Sequence, residues 1–393
     1  MAPVDFPLPS PSPEAAAHSH ALAERIAEAI ADAGGWIPFP RFMAMALYEP
    51  GFGYYTAGSR KFGTDGDFVT APEISPVFSR CLALQARQVM ERTAPEILEL
   101  GPGSGILAAD LFGELKDQGA MPAKFRLLEV SPDLRERQRE RIAARFPAEL
   151  DRFEWLDRLP ERIDGFVVAN EVLDVLPCAL VRRAPGGELL ERGVAVTEAG
   201  LAWEDAPLPE GELRRRARAV MPPGDYEYLT EVNLEAEALV RTVAASLGRG
   251  VALFVDYGFA GAEYYHPQRD QGTLRCHYRH RFHGDPFFLP GLQDITAHVD
   301  FSAMARAAVS ADAEVLGYTT QAHFLISCGL AVLVSEGDPN RTLSRLKATS
   351  AVHRLINPSE MGELFKALAV GRGVEPPLLG FQSARPLSLG LAE

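Results

Sequence analysis

One stretch restricts the fold of this chain more than any other. An apolar run, Ile97-Leu98-Glu99-Leu100, breaks at Gly101-Pro102-Gly103-Ser104-Gly105 and resumes as a helical pattern over residues 106–115. A strand that turns into a helix through glycines is the first half of a β-α-β unit. Such crossovers are right-handed and bring the chain back alongside, so the next strand should lie parallel to the first. Residues 125–130 form that second strand, followed by Ser131 as a helix cap with Pro132 and Asp133 in the first turn. Residues 153–156 make a weak third strand, 165–169 a clear fourth, and 250–255 a fifth that ends at Asp256. Strands apolar on both faces and alternating with helices specify an α/β fold with a mostly parallel sheet.

The rest of the chain is arranged around that sheet. Residues 1–13, rich in Pro and Ser, read as a disordered lead, and 14–93 as an N-terminal helical region with loops. Leu22, Ile26 and Ile30 recur every four residues in a helix over 14–33; a second helix covers 41–47, and a third runs from about Glu73 to Thr93. Residues 94–178 hold the first part of the core. An antiparallel β insert, a candidate substrate region, spans 179–232, with strands at 180–183, 189–196 and 201–204. Residues 233–335 return to the core, beginning with a helix over 233–247, and 336–393 form a helical tail with helices near 341–348 and 358–368.

Composition removes several function classes. The 393 residues carry 39 basic and 53 acidic side chains, a formal net charge of −14, and 47% are hydrophobic. That is globular composition, and its acidic balance argues against a nucleic-acid partner, which needs clustered Lys and Arg. Cys81, Cys178, Cys276 and Cys328 form no C-x-x-C pair, which fits a reducing compartment. The first twenty residues contain Asp5 and Glu14 but no Arg and suit neither a secretory nor a mitochondrial leader, so a cytoplasmic location is expected. The longest uncharged stretch, 315–335, includes Gln321 and His323 and reads as a strand and buried helix, without membrane insertion.

The glycine loop leaves its backbone open to a ligand. Dinucleotide loops follow G-x-G-x-x-G and seat a pyrophosphate on the helix N-terminus. Here the third glycine comes one residue early, and Glu99 stands two residues before the first. A carboxylate beside Gly101, Gly103 and Gly105 repels pyrophosphate and suits a ligand bearing an ammonium and a sulfonium: S-adenosylmethionine. Glu129, at the end of the second strand, can accept both ribose hydroxyls. Trp155 and Leu156 can flank the adenine, with Asp157 near its amino group, although core packing explains Trp155 equally well.

Past the fourth strand come Asn170-Glu171-Val172-Leu173-Asp174-Val175-Leu176-Pro177, at the carboxyl end where α/β sheets place their chemistry. On the opening turn of a helix, Glu171 and Asp174 would share a face and could hold a planar guanidinium as the catalytic pair. The plainer alternative is that both complement the helix dipole. Asn170 can touch the cofactor through its carbonyl. This octapeptide resembles the N-E-x-x-D-A-L-P motif of the MidA methyltransferases. Other matching segments are Gly51-Phe52-Gly53-Tyr54-Tyr55, Gly66 to Ser75, Glu99 to Gly105, Val255-Asp256-Tyr257-Gly258, Gly272-Thr273-Leu274-Arg275, and His298-Val299-Asp300-Phe301-Ser302. They run in order over roughly residues 20–335.

The resemblance implies a class I, Rossmann-like methyltransferase core of about seven strands with helical and β additions. It also implies symmetric dimethylation of an arginine on a respiratory complex I subunit, as in the family's mitochondrial member, an assembly factor and protein arginine methyltransferase. Val175 replaces the family's usual Ala and leaves the carboxylates alone. Without a mitochondrial leader, a bacterial setting is expected, in which the target can differ.

Two more segments deserve weighing. The polar loop 66–75 can fold over the cofactor as a lid through Thr70, Pro72 and Glu73, or its Pro72-Glu73 can simply start a helix. His298 and Asp300 open a helix over 301–308, where Asp300 suits a cap first and a substrate-facing role second. His277, His280 and His283 are interleaved with Arg279 and Arg281, so no metal site is expected. Two rivals share the core: a small-molecule O- or N-methyltransferase, and a non-catalytic assembly module, against which the intact glycines and acids speak.

Overall fold

The computed structural model describes residues 8–57, 70–335, 342–382 and 387–391, with 342–348 as backbone alone. Two compact units emerge. One gathers Met1–Phe68, Asp174–Glu237 and Gly261–His298; the other gathers Val69–Leu173, Ala238–Ala260 and Val299–Glu393.

The larger unit is built on an eight-stranded sheet. Its strands are β1 (Glu96–Leu100), β2 (Lys124–Leu128), β3 (Phe153–Leu156), β4 (Ile163–Asn170), β5 (Leu247–Phe259), β6 (Val299–Asp300), β7 (Glu314–Thr320) and β8 (Phe365–Arg372). The order is β7-β8-β5-β4-β1-β2-β3, with β6 paired to the end of β5. Neighbours from β3 to β5 are parallel, whereas β8 runs antiparallel to both β5 and β7. The chain builds outward from β1 to β3 and then returns to lay β4 on the other side of β1. Leu100 is therefore in register with Leu128 on one side and Ala169 on the other. At such a reversal the crossover helices lie on opposite faces and a crevice opens at the strands' carboxyl ends. Gly101, Glu129 and Glu171 are the residues that follow β1, β2 and β4 there.

Three expectations for the larger unit need correcting. The helix read from Glu73 to Thr93 is broken: Ala71–Ile74 is one turn, and Pro76–Met90 begins anew with Ser75 as its cap. Pro76 has no N–H to continue the first turn, so the break falls at Ser75. β5 runs on past Asp256 to Phe259. The tail is not only helical, because Met361–Leu364 makes a single turn and Phe365–Arg372 becomes β8, buried along seven of its eight residues. Its Lys-Ala-Leu-Ala-Val run favours a helix locally, but pairing with strands on both sides decides the matter.

In the smaller unit, strands Ala179–Arg183, Leu189–Thr197, Gly200–Pro207 and Tyr228–Val232 form an antiparallel sheet joined by Trp36–Pro38. The helix expected at 14–33 is Pro13–Asp32, entered through Ser12, whose hydroxyl accepts from the Ala15 N–H. Leu22, Ile26 and Ile30 are buried, in one core with Phe39, Phe42 and Leu180. Residues 261–298, expected within the core, belong to this unit instead. The Glu231 carboxylate holds them. It accepts from Thr273 N at 2.7 Å, Leu274 N at 2.9 Å, Tyr264 Oη at 3.0 Å and Thr273 Oγ1 at 3.1 Å. Gly272, at φ +71°, leaves the room: a Cβ there would sit 2.4 Å from Glu231 Oε1.

Candidate active site

Gly101, Gly103 and Gly105 all have positive φ, at 60°, 53° and 75°. Side chains are excluded from this loop for a second reason. A Cβ on Gly101 would lie 2.9 Å from Val172 Cγ2, and one on Gly105 would lie 3.0 Å from Gln138 Cγ. The loop is thus pressed against both the segment after β4 and the helix after β2.

Glu99 is 2% exposed, and its Oε2 has no hydrogen-bond partner among the described residues. Burial, and secondarily the nearby Glu129, pushes its carboxyl pKa up to about 8. Asn170 Oδ1, one residue past the last β1–β4 pair, is likewise buried without a partner among the described residues. Buried acceptors left without donors are costly, and a ligand that brings donors removes the cost. A ligand ammonium fits that requirement, whereas the pyrophosphate diester of a dinucleotide, which brings only acceptors, does not.

Glu129 is 5% exposed and faces donors on both oxygens: Ser131 N at 2.9 Å on Oε1 and Gln138 Nε2 at 3.1 Å on Oε2. Burial raises its pKa, and these two hydrogen bonds pull it back. Gln138 also donates to the Gly103 carbonyl at 2.8 Å and accepts from Trp155 Nε1 at 2.9 Å. Trp155 is therefore tied to the site by its indole N–H, with the Arg139 guanidinium 4.6 Å above its ring. Arg135 donates to the carbonyls of Glu129 and Leu156 at 2.6 and 2.7 Å and pairs with exposed Asp157, joining the ends of β2 and β3. Gln138 and Arg135 were missed from sequence. The signal for Gln138 was available: it is the one polar member of the buried stripe Leu134, Gln138, Ile142.

The segment after β4 is not a helix, which overturns the shared helical face of Glu171 and Asp174. Residues 171–178 pass through bends and turns, with Glu171 at φ +53° and Pro177 near the end. Glu171 takes this left-handed conformation while its N–H bonds Val255 O at 2.9 Å. Two residues on, Leu173 N–H is caught by Asp256 Oδ2 at 2.9 Å, and Asp256 Oδ1 accepts from Tyr257 N at 2.9 Å. Asp256, which sequence reading placed only at a strand end, thus holds the loop from beneath. A non-glycine residue held at positive φ costs free energy and marks a place where orientation matters.

The half-buried Glu171 carboxylate accepts from Ala71 N at 3.2 Å and Asn170 Nδ2 at 3.1 Å. On the same short turn, Glu73 accepts from the Ser104 hydroxyl of the glycine loop. Residues 71–74 therefore bridge Glu171 and the glycine loop. Pro72 is buried and Thr70 precedes the turn without capping it by its side chain. Gly66, Asp67, Phe68 and Val69 lie outside the described residues.

Asp174 belongs to the smaller unit, where it is buried and its carbonyl accepts from Ala297 N at 2.9 Å. Tyr55 of the Gly51–Tyr55 motif lies in the same unit and feels its charge. Tyr48 donates to Val175 O at 3.0 Å, Tyr55 donates to Asp294 Oδ1 at 3.0 Å, and the two rings stack 5.6 Å apart. Burial above all, and then the neighbouring Asp294, Tyr48, Tyr54 and Asp174, raise the Tyr55 pKa well above that of a free phenol. His298 N–H donates to Thr273 Oγ1 at 3.0 Å, within the Glu231 network. Asp300 caps Phe301–Val309, accepting from Ala303 N at 3.1 Å. His277 and His283 lie on the paired strands Arg275–Tyr278 and Arg281–His283, with Arg279 and His280 in the turn between them. Among the described residues no cluster of His, Cys, Asp or Glu is arranged to hold a metal.

An open sheet of this order with one reversed strand, a glycine loop flanked by a buried acid, and a second acid after β2 define a class I S-adenosylmethionine-dependent methyltransferase. A family model described as "Putative S-adenosyl-L-methionine-dependent methyltransferase" matches residues 81–319. The chain belongs to this family, and its cofactor is S-adenosylmethionine. It is similar to a Burkholderia thailandensis protein solved with S-adenosyl-homocysteine bound and described as a candidate methyl transferase. The two share 47% identity and a TM-score of 0.92, over 96% of this chain and 98% of that one. A native structure of an uncharacterised protein from that organism aligns at 46% identity and a TM-score of 0.89, with the same coverage. Among curated relatives, the mitochondrial protein arginine methyltransferase NDUFAF7 of Danio rerio is 30% identical over 382 residues, 86% of this chain and 84% of the relative. The Drosophila melanogaster homologue is 29% identical, covering 92% and 88%. The resemblance to the MidA methyltransferases read from the motifs is borne out.

Proposed function

We propose that this methyltransferase acts on the guanidinium of an arginine in a protein. S-adenosylmethionine supplies a methyl group on an already cationic sulfur, so the chain's work is alignment, exclusion of water and handling of the acceptor's charge. An arginine guanidinium, with a pKa above about 12, is a poor nucleophile until its charge is localised and a proton removed. The observation that carries the proposal is Glu171. Its carboxylate is half-buried and restrained by Ala71 N and Asn170 Nδ2 on one oxygen, on a backbone fixed by Val255 and Asp256. It pairs with the guanidinium and takes the proton. Asp174, whose pairing with Glu171 rested on a helical face that does not form, is given no catalytic role in this reading.

Glu99 and Asn170 hold the cofactor's amino-acid end, the glycine loop admits its backbone approach, and Glu129 takes the ribose. Val130, 65% exposed beside Glu129, and Trp155 with Leu156 offer apolar surface to the adenine. The names of the curated relatives support a protein acceptor. A respiratory complex I subunit is the specific acceptor this reading favours. The bacterial relatives at 46–47% identity and the four free, buried cysteines support a bacterial cytoplasmic setting. Among the described residues no helix is long and apolar enough to cross a membrane.

The decisive experiment incubates the protein with methyl-labelled cofactor and host lysate and locates the label by mass spectrometry. Label on an arginine side chain, lost about 100-fold or more in Glu171→Gln with cofactor affinity within about threefold of wild type, is the expected result. Label confined to small metabolites overturns it.

A further inference from the structure

We infer that Gln138 is a positioning residue that fixes the Glu129 carboxylate, and that through it the site selects a ligand carrying both ribose hydroxyls. The inference rests on the methyltransferase reading of this site and adds to it a residue that does not itself touch the ligand.

Gln138 is fully buried on the helix Pro132–Arg145. Its amide has two N–H donors and one carbonyl, and each meets a complementary partner. The nitrogen lies 2.8 Å from Gly103 O and 3.1 Å from Glu129 Oε2, while the carbonyl accepts from Trp155 Nε1 at 2.9 Å. Turning the amide over would set its oxygen against two acceptors and its nitrogen against an indole N–H. The partners therefore fix one orientation.

With Ser131 N on Oε1 and Gln138 Nε2 on Oε2, Glu129 is held from two sides. The Ser131 and Val130 N–H groups and Gln138 Nε2 restrain the carboxylate, whose remaining acceptor capacity is presented to a ligand's hydroxyls. The Gln138 bond also opposes the effect of burial on Glu129, favouring the ionised form that can only accept. Gly105 completes the arrangement, because a Cβ there would meet Gln138 Cγ at 3.0 Å and its Cα at 3.3 Å. A leucine at 138 would extend the stripe of Leu134 and Ile142 without burying any polar group. The polar side chain is thus explained by what it holds rather than by packing.

The test measures binding of S-adenosylhomocysteine and of its 2′-deoxy analogue by calorimetry in wild type, Gln138→Met and Trp155→Phe. Wild type should prefer the ribonucleoside by about tenfold or more, the value of a hydrogen bond to a charged group. In Gln138→Met the ribonucleoside should bind about 10- to 100-fold more weakly, and the preference should fall to within about threefold. Trp155→Phe, which removes the indole donor that orients the amide while keeping an aromatic ring, should move the preference in the same direction by less. A merely structural role would weaken both ligands equally, so an unmoved ratio in Gln138→Met overturns the inference. Should that variant fail to fold, an unmoved ratio in Trp155→Phe does so. Wild type that binds neither nucleoside overturns the cofactor assignment and this inference with it, whereas wild-type binding with unmoved ratios overturns this inference alone.

Discussion

Replacing Glu99 by glutamine should make the ligand-free protein more stable while weakening its cofactor binding. In the unfolded chain the carboxyl titrates near 4.5, and in the fold near 8. A folded-state pKa raised in this way means that folding takes up a proton, so stability falls as pH rises from the lower value through the upper one. Below about pH 4.5 the group is neutral in both states and costs nothing by this route. At pH 5 the linkage cost is about 1 kcal/mol, at pH 7 about 3 kcal/mol, and at pH 9 about 5 kcal/mol, near its limit. Glutamine keeps the shape and removes the titration. The stability gap between variant and wild type should therefore widen by about 2 kcal/mol between pH 5 and 7 and by about 4 kcal/mol between pH 5 and 9. Comparing pH values cancels any constant cost of the amide.

The assay is chemical denaturation of both ligand-free proteins at the three pH values. Calorimetry supplies a second readout. If the ligand's ammonium ionises Glu99, binding S-adenosylhomocysteine at pH 7 should release about 0.9 of a proton, seen as a dependence of the heat on buffer ionisation enthalpy. A gap that does not change with pH, together with heats independent of buffer, would refute the reasoning that this acid lies buried and waiting for a cation.

Gly101→Ala must adopt φ +60° with its Cβ 2.9 Å from Val172 Cγ2. It should lower stability by about 1–3 kcal/mol and cofactor affinity at least about tenfold, checked by thermal melting and calorimetry. Gly103→Val, at φ +53°, should abolish detectable cofactor binding in a protein that still folds by circular dichroism. Asp256→Ala releases the Leu173 and Tyr257 amides. Methyl transfer should fall about tenfold or more, with a stability loss of about 2–4 kcal/mol in denaturant titration. Glu231→Ala removes the acceptor of four donor groups, three of them buried, and should destabilise the smaller unit by about 3–5 kcal/mol, read as faster hydrogen exchange over residues 264–278.

The sheet was legible because periodicity and punctuation are local signals. β1 to β4, the capping triplet Ser131-Pro132-Asp133 and the insert's first three strands are all written in runs of about four to nine residues. Where local preference and tertiary pairing disagree, local reading failed. The tail's alanines and leucines favour a helix, yet Phe365–Arg372 is clamped between β5 and β7. Asn170 to Pro177 has the composition of a helix start, but Asp256 and Val255 hold it in another shape.

By itself the amino-acid order determined the alternation of strands and helices, the acid-flanked glycine bend and the class of ligand it admits. All of these depend on residues within a few positions of one another. Only tertiary structure decided that Glu99 Oε2 is left buried without a hydrogen-bond partner among the described residues, that Gln138 joins the glycine loop, Glu129 and the Trp155 indole, and that Glu171 is held at positive φ. The first depends on burial by elements distant in sequence, and the other two on groups distant in sequence meeting at about 3 Å, where hydrogen bonding acts whatever the separation along the chain.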